Sequence, residues 1–446
     1  MTRRVLIEHG RILDGTGTEP FAGDLLIEGE RIVAVGPEAA SRVPAAEPLE
    51  RIDANGLTVM PGLVDAHCHL TFDDAGSNPE IFHQRRHALS ALVAAYNAGK
   101  LLRAGVTGII DPDSVHECAV DLRDAIEAGL VEGPRMACGC YALIPGLGGT
   151  GGLLIADTGV TGYYKVVNGH DEIVAEVRRR PSPGADWIKV HVSGVAPRYA
   201  SRGEQCSWSQ AELDLICEVA HDLGVPVMGH CRGAESTYRA ARAGMDLLFH
   251  ATGMDQRALA EVIERRIPVC PSLTFQANVV DFGDRIGTDP SLVSLFEREI
   301  VDSAESLRRL HDAGVPLISG SESGFTVVPY GEWHFREMEV FVRYVGLTPL
   351  QAIRTATEHG AIALKLQGQI GVLAAGMLAD VICVDGDPAS DVTVLEPGRI
   401  RHVLLGGRPV DLGPLPPRKQ IPGWRLPLMG ARLSRAVAHG GPGPVR

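Results

Sequence analysis

The two ends of the chain share a pattern of short apolar runs separated by turn residues. Near the start, VLIEHGRIL, DLLIEGERIVAVG and RIDANGLTVM alternate apolar and polar residues with a period close to two, which is typical of β-strands. No long helical stretch interrupts them, so residues 1–60 are predicted to form a small antiparallel sheet. The same character returns after residue 369 in IGVLAAGMLADVICVDGDP and RIRHVLLGGRPV. We therefore expect residues 1–60 and 370–412 to pair into one small β-sandwich domain.

The central part of the chain, residues 61–369, alternates short apolar runs with longer helical segments. Examples are WIKVHVSG before SQAELDLICEVAHDLG and VPVMGHC before ESTYRAARAG. A glycine that fits a left-handed helix C-cap precedes the next strand at Gly105, Gly224, Gly244 and Gly314. Repeated strand–helix units imply parallel strands, and about eight units over roughly 300 residues favour a barrel. The predicted fold class is thus α/β, with a (β/α)8 TIM barrel over residues 61–369.

The last segment, residues 413–446, has a different composition from the rest. It is rich in Pro, Arg and Gly and offers little to a hydrophobic core. We predict an extended tail, ordered if at all by contact with a neighbour. For the protein as a whole we expect a homo-oligomer.

The first chemical motif is the pair of histidines in PGLVDAHCHL. His67 and His69 are two residues apart on an apolar strand, so their side chains share one face. In a parallel barrel that face can point inward at the carboxyl end of the strand, where barrel active sites lie. Two imidazoles placed there can hold one metal ion from one side. Asp65 shares the face and either steadies the pair or serves packing.

A lysine lies inside the strand of ADWIKVHVSG. Lys189 would be buried there, and an unpaired buried ammonium is costly. It therefore needs a partner or a chemical change that removes its positive charge, and carboxylation by CO2 would make it an anion able to bridge two metals. His191 follows on the same face, where it either contacts substrate or fills the barrel.

Three more candidate ligands lie at the ends of later predicted strands. His230 in VPVMGHC and His250 in MDLLFH each end a short apolar strand, and each is predicted to supply one nitrogen to a metal. Glu322 in VPLISGSESG closes the last barrel strand. A carboxylate there can bind metal or accept a proton from water as the general base of a metal-assisted hydrolysis.

These placements resemble the amidohydrolase superfamily. The resemblance extends from ILDGTGTEPFAGDLLIEGERIVAVGP through PGLVDAHCH to GVLAAGMLADVICVDGDP. Within the superfamily the chain is most similar to the imidazolonepropionase-like and prolidase-like branch, on DWIKVHVSG, GHCRGAESTYRAARAGMDLLFHATG and LTPLQAIRTATEHGA.

The resemblance implies a metal centre and a mechanism. His67 and His69 would bind the more buried metal, His230 and His250 the second, and carboxylated Lys189 would bridge both. A metal-bound hydroxide, its pKa lowered by the metals, would attack a carbonyl. The expected cofactors are one or two divalent ions, first of all zinc, with manganese, cobalt or iron as alternatives.

The chain departs from the family pattern in two places. The family has Asp at the end of strand eight, whereas this chain has Glu322 in Gly-Ser-Glu-Ser, so a single metal is also considered. Peptidase members carry a His in a TGGHG stretch and a Tyr just after the strand-five His. Here the corresponding stretch is PGLGGTGG and the residue after His230 is Cys231. Because those positions recognise the substrate carboxylate in the peptidases, dipeptide cleavage is disfavoured.

Two further residues are candidates for substrate contact. Arg232 follows the end of strand five and would either grip an anionic group of the substrate or lie on the surface. His334 lies in PYGEWHFREME after strand eight, and this stretch would either line the pocket as a loop or pack at the start of a helix.

Composition narrows the class of protein. The formal net charge of −13 argues against a nucleic-acid binder, which would show a basic face. No apolar run approaches the ~20 residues needed to span a bilayer. The cysteines number nine and form no CxxC pair, which favours reduced thiols. We predict a cytoplasmic protein acting on a small molecule.

The sequence therefore predicts a metal-dependent hydrolase of a C–N bond in an amide, carbamate, urea or cyclic amide, and not of a peptide. The alternatives are a lactonase or other esterase, a deaminase, and a non-catalytic metal-binding relative. Superfamily deaminases usually use one metal without a bridging lysine, so Lys189 counts against that class.

Overall fold

The computed structural model describes residues 2–43, 48–75, 86–146, 160–195, 204–418 and 433–441. Its strands, in chain order, are β1 (Arg4–Ile12), β2 (Phe21–Glu28), β3 (Arg31–Gly36), β4 (Glu50–Asp53), β5 (Thr58–Pro61), β6 (Leu63–Asp65), β7 (Val106–Asp111), β8 (Arg135–Cys138), β9 (Ala142–Ile144), β10 (Val160–Thr161), β11 (Tyr164–Val166), β12 (Ile188–His191), β13 (Ser193–Val195), β14 (Gln205–Cys206), β15 (Val227–Arg232), β16 (Leu247–Thr252), β17 (Val269–Cys270), β18 (Val381–Val384), β19 (Ile400–Leu405) and β20 (Arg408–Pro409).

The α-helices are α1 (His87–Arg103), α2 (Cys118–Glu127), α3 (His170–Arg179), α4 (Gln210–Asp222), α5 (Ala234–Ala243), α6 (Gln256–Arg265), α7 (Thr274–Ile286), α8 (Pro290–Asp312), α9 (Arg336–Val340), α10 (Pro349–Thr355), α11 (Gly360–Ala363) and α12 (Arg435–Ala438). A π-helical turn, Phe341–Val345, follows α9, and short 3₁₀ turns cover Ala40–Arg42, Val392–Leu395 and Pro397–Arg399.

Strands from both chain ends share one sheet. Its order is β20-β19-β18-β5-β1-β2-β3, with β4 also paired to β1, and the two ends meet where β18 runs antiparallel to β5. The predicted antiparallel sheet for residues 1–60 is wrong in one respect, because β1 pairs in parallel with both β4 and β5. The connection from β3 to β4 is long enough to carry the chain back across the sheet before it pairs, as parallel neighbours require.

The central strands are parallel and alternate with helices. β6, β7 and β8 form one parallel group, and β9, β12, β15, β16 and β17 are parallel neighbours in a second. The α/β class is therefore confirmed. A backbone hydrogen bond from Trp187 N to Cys138 O (3.2 Å) joins the two groups, and one from Ala66 N to Ser319 O (2.9 Å) joins the end of β6 to the segment that follows α8.

The predicted glycine C-caps are confirmed, and one helix was missed. Gly105, Gly224, Gly244 and Gly314 have φ values of 84°, 71°, 90° and 75°, which a residue with a side chain adopts only at a cost. Between β17 and the long helix α8 the chain forms α7, which the sequence analysis does not predict. Only three residues separate the end of β17 from the start of α7, so this helix begins beside the strand ends.

The largest hydrophobic cluster lies between the parallel strands and the helices around them, and a second one fills the terminal sheet. All nine cysteines are free thiols, as the composition predicts. None of the helices in the described ranges combines the length and the hydrophobicity needed to cross a bilayer.

Parts of the C-terminal segment are held against the rest of the chain. Arg418 donates to both carboxylate oxygens of Asp73, and the indole of Trp333 donates to the carbonyl of Leu433 at 2.9 Å. Leu433 is fully buried. Residues 419–432 and 442–446 of the predicted tail lie outside the described residues.

A buried carboxylate fixes the start of α7. Glu337 accepts hydrogen bonds from the backbone nitrogens of Leu273 and Thr274, at 2.9 and 2.8 Å, and from the Thr274 hydroxyl at 2.7 Å. Carboxylates are favourable at the positive end of a helix, where backbone N–H groups lack partners.

Replacing this carboxylate should destabilise the protein. Glu337→Ala leaves three buried donors without an acceptor, so we expect the free energy of unfolding to fall by about 3 kcal/mol in urea denaturation. Glu305→Ala, at an exposed position of α8, is the control and should change it by less than about 0.5 kcal/mol. Equal effects of the two substitutions would contradict the anchoring role.

Candidate metal centre

Five imidazoles lie next to one another where the central strands end. Ring centroids are 4.8 Å apart for His69 and His67, 5.3 Å for His67 and His250, 4.6 Å for His250 and His230, and 4.7 Å for His230 and His191. These residues follow β6 or belong to β12, β15 and β16. The parallel arrangement thus brings residues far apart in sequence into one continuous group.

Three of the predicted ligands place donor atoms close together. One ring nitrogen each of His67 and His250 and one carboxylate oxygen of Glu322 all lie within 4.8 Å of one another. Nitrogen and oxygen donors of this kind suit zinc and other divalent ions.

His250 provides the sharpest indication of a ligand. Its side chain is fully buried, and neither ring nitrogen has a hydrogen-bond partner among the described residues. The nearest carboxylate oxygen, on Glu322, is 3.8 Å from Nε2. Buried polar atoms are nearly always partnered in native proteins, so a metal ion fits the missing partner of this imidazole.

Burial keeps several of these rings neutral. It lowers the pKa of His67 and of His250 well below the ordinary value, and the neighbouring imidazoles add to the effect. Burial also lowers the pKa of His191 to about 3, although its hydrogen bond to Asp113 opposes the change. Neutral imidazole is the form that binds metal.

Asp113, which the sequence analysis missed, lies among these side chains. Its Oδ1 is 2.7 Å from Nδ1 of His69, and its Oδ2 is 2.7 Å from Nε2 of His191. Burial alone would raise the pKa of Asp113, but Lys189, His69 and His191 together hold it well below the ordinary value. Asp113 is therefore ionised and orients two rings of the group.

Lys189 is buried, as expected. Its Nζ lies 4.0 Å from Oδ2 of Asp113 and 4.0 Å from the centre of the Phe249 ring. Burial lowers the pKa of the Lys189 amine, while the charge of Asp113 opposes that shift. The nearest anion is thus too far away for a direct hydrogen bond.

A second missed acid, Glu204, contacts the other side of the group. Its Oε2 lies 3.0 Å from Nε2 of His230 and accepts a hydrogen bond from the Ser193 hydroxyl at 3.0 Å. Burial opposes ionisation, but the interaction with His230 and the charge of Arg232 lower the pKa of Glu204 to about 2.

Arg232 is bound by acids as well. One terminal nitrogen donates to both carboxylate oxygens of Glu299, at 2.7 and 2.8 Å, and Nε lies 3.9 Å from Glu204. The sequence analysis considers Arg232 as a binding residue for an anionic group of the substrate. Such a group would have to compete with these two carboxylates for the guanidinium.

His334 lies behind the group. Its Nδ1 is bonded to Asp65, which also accepts hydrogen bonds from the backbone nitrogens of His67 and Ser321 at 3.1 and 2.9 Å. His334 is buried and is absent from the described residues that line the cavity. The ring contacts Asp65, which holds the backbone of His67 and of Ser321, and its Nε2 accepts a hydrogen bond from the backbone nitrogen of Gly331 at 2.9 Å.

Two ligand candidates have a strained backbone. His250 and Glu322 have φ values of 65° and 60°, in the left-handed region that residues with side chains rarely adopt. Backbone strain of this kind clusters at functional sites.

The carboxyl group of Glu322 is also perturbed. Burial, opposed by Arg232 and His69, raises the pKa of Glu322 to about 7.

The group opens into a cavity of about 220 Å³. Four of the five histidines form one part of its lining together with charged side chains: His67, His69, His191, His230, Lys189, Asp113, Arg232 and Glu322. Aromatic rings form the rest: Phe72, Tyr163, Phe275, Phe296 and Phe325. The sequence analysis missed these rings because they come from loops and from α7 and α8. Part of the PGLGGTGG stretch, residues 147–152, lies outside the described residues.

Comparison with known proteins identifies the family. The chain matches the model of the Amidohydrolase family over residues 58–410, and it belongs to that family. Ochratoxinase from Aspergillus niger is 27% identical over 433 residues, which cover 90% of this chain and 86% of the relative. Imidazolonepropionase from Cutibacterium acnes is 27% identical over 377 residues, which cover 80% of this chain and 82% of the relative.

The fold is also found among solved structures. A Xaa-Pro dipeptidase with methionine bound in its active site superposes with a TM-score of 0.78 at 27% identity, covering 91% of this chain and 99% of that one. These comparisons confirm the resemblance on which the sequence analysis relied and the predicted class of metal-dependent hydrolase acting on C–N bonds.

The close approach of Gly320 to His67 gives a test of the centre. A Cβ atom on Gly320 would lie 2.4 Å from Cys270 Sγ and 2.9 Å from His67 Cβ. Gly320→Ala should push the backbone around residue 320 away from His67, and we expect metal affinity, measured by competition with a chelator, to fall about tenfold or more.

The matched control is Gly398→Ala, where an added Cβ meets nothing within 4 Å. It should leave metal affinity unchanged. Unaltered affinity in Gly320→Ala would show that this close contact does not position the ligand.

Proposed function

We propose that this protein hydrolyses a C–N bond of a small non-peptide amide, carbamate, urea or cyclic amide at the centre formed by His67, His69, Lys189, His230, His250 and Glu322. The observation that carries the proposal is the fully buried His250, whose ring nitrogens lack partners in the described part of the chain. A structural histidine at this depth would be hydrogen-bonded.

These six side chains suit one or two divalent ions, of which zinc is our first choice. When bound, such an ion polarises a carbonyl and makes water more acidic. In the overall reaction, the water oxygen adds to the carbonyl carbon, the C–N bond breaks, and the departing nitrogen takes a proton. In this proposal Glu322, which lines the cavity, accepts the proton from water and returns it to the nitrogen.

Carboxylation of Lys189 is part of the proposal. The ammonium first loses one proton, and the uncharged amine then joins CO2 and releases a second, so that a cation is replaced by an anion. Two features support it: the side chain is 1% exposed, and the nearest carboxylate oxygen is 4.0 Å from Nζ. A buried ammonium at that distance from its counter-ion is poorly stabilised.

The architecture we propose is a closed (β/α)8 barrel over residues 61–369 beside a β-sandwich formed by residues 1–60 and 370–412. Closure is supported by the backbone hydrogen bonds between the strand groups and by the parallel bridge from Val269 to Leu317. Homo-oligomer formation and the extended tail over residues 413–446, apart from the helix α12, also stay predictions.

A non-peptide substrate is supported by two features of the cavity. Arg232 is already paired with Glu299, and the residue after His230 is the buried Cys231, which does not line the cavity within the described ranges. A free α-carboxylate of a dipeptide would therefore meet no unpaired guanidinium there.

The role of Glu322 can be tested by two substitutions. Glu322→Gln removes the proton acceptor but keeps the size of the side chain, and we expect kcat of the metal-loaded enzyme on a chromogenic amide to fall about 10²-fold or more. Glu322→Asp keeps the carboxylate and should retain more activity than the Gln variant.

Metal content separates the two roles of Glu322. A Gln variant that keeps its metal but loses activity identifies a base, and one that loses both identifies a ligand. Unchanged activity in Glu322→Gln would exclude the base role. Glu297→Gln, exposed on α8, is the control and should match the unmodified enzyme.

A further inference from the structure

The aromatic lining of the cavity forms a continuous wall that begins at the metal centre. The Phe72 ring stacks on His69 with centroids 4.3 Å apart and planes 3° apart. From Phe72 the contacts run to Phe325 (5.6 Å), then to Phe275 (5.6 Å) and to Phe296 (5.9 Å). The last three contacts are edge-to-face, a favourable geometry for aromatic pairs.

The outer rings of this wall are only half-buried. Phe275, Phe296 and Phe325 keep part of their surface exposed, whereas Phe72 is 2% exposed. Apolar surface that faces a cavity favours a ligand that covers it. A cavity of about 220 Å³ is smaller than the pockets of ~300–1,000 Å³ that hold drug-sized ligands, so a single ring is the size that fits.

The lysine and arginine side chains that line the cavity face carboxylates. Within the described residues these are Lys189, which faces Asp113 at 4.0 Å, and Arg232. Both oxygens of Glu299 are bonded to Arg232, and Glu204 lies 3.9 Å from its Nε. A substrate carboxylate would have to displace Glu299 and would be repelled by Glu204.

Phe296 and Glu299 lie one turn apart on α8. One helix therefore supplies both an outer ring of the wall and the carboxylate that neutralises Arg232. Residues three apart on a helix share a face, so the apolar wall and the charge compensation belong to the same side of the cavity.

We infer that the substrate of this centre carries a single flat aromatic ring next to the scissile C–N bond and no carboxylate on that ring. This inference rests on the proposed function, because it names the class of substrate for that same centre. In the bound state the ring lies against Phe275, Phe296 and Phe325, and the reacting carbonyl points toward the histidines.

Three amides of similar size test the aromatic part and the charge part separately. They are acetanilide, its saturated analogue N-cyclohexylacetamide, and 4-acetamidobenzoate. Comparing the same pair of substrates across variants removes the difference in leaving-group chemistry. In the metal-loaded enzyme we expect the highest kcat/KM for acetanilide, with 4-acetamidobenzoate lower by about tenfold.

Loss of a ring should affect the aromatic substrate selectively. In Phe275→Leu and in Phe296→Leu, the ratio of kcat/KM for acetanilide to that for N-cyclohexylacetamide should fall about threefold or more. Leu295→Ala, next to Phe296 but 50% exposed, should leave the ratio unchanged. An unchanged ratio in both Phe variants would overturn the aromatic part of the inference.

The charge part of the inference predicts that one substitution increases activity on the substrate that carries a carboxylate. Glu299→Gln releases Arg232 from one of its two acids, so kcat/KM for 4-acetamidobenzoate should rise about tenfold relative to acetanilide. A preference of the unmodified enzyme for 4-acetamidobenzoate would overturn this part while leaving the hydrolase proposal intact.

Failure of the hydrolase proposal gives a different result. If the metal-loaded protein hydrolyses none of the three amides, calorimetric binding of the same compounds to the same variants decides the inference. Tighter binding of acetanilide than of the other two, lost in the Phe variants, supports the preference for an uncharged aromatic ring without hydrolysis. Equal binding of all three overturns it.

Discussion

The structure depends on the burial of a group of uncharged imidazoles at the ends of parallel strands. Removing these rings from water disfavours their charged forms, which is why the pKa values of His67 and His250 lie well below the ordinary value. Removal from water also leaves each ring nitrogen in need of a partner. Protein atoms satisfy this need at some rings, but not at His250 among the residues described. The free energy lost by burying that ring is recovered only if a ligand binds to it.

The side chains around the imidazoles orient the rings, fix the backbone beneath them and line the rest of the cavity. Asp113 and Glu204 orient His69, His191 and His230 through contacts of 2.7 to 3.0 Å. Asp65, held by His334, fixes the backbone on which His67 lies. Aromatic rings from α7, α8 and the loops close the other side of the cavity. The centre is thus polar on the strand side, where His250 still lacks a partner among the described residues, and apolar where the aromatic rings line the cavity.

Much of this arrangement was predictable because strand ends are visible in a sequence. His67, Lys189 and His250 each interrupt or end an apolar run, and parallel strands bring such positions together. Asp113 follows the strand VTGIID, but its role rests on its contacts with His69 and His191, which spacing along the chain does not reveal. Glu204 had no sequence signal, as it lies outside any clear strand or helix pattern. The contacts of Phe275, Phe296 and His334 depend on how helices and loops pack, which spacing along the chain does not encode.

The central claim is that the imidazole group binds metal, and metal stoichiometry tests it most directly. Elemental analysis of the protein purified after growth with zinc should give at least about one metal ion per chain. His250→Ala should lower that content, whereas a substitution at an exposed histidine, such as His170→Ala, should not. Fewer than about 0.5 metal ions per chain in the unmodified protein would contradict the account, because the buried nitrogens of His250 would then have no ligand.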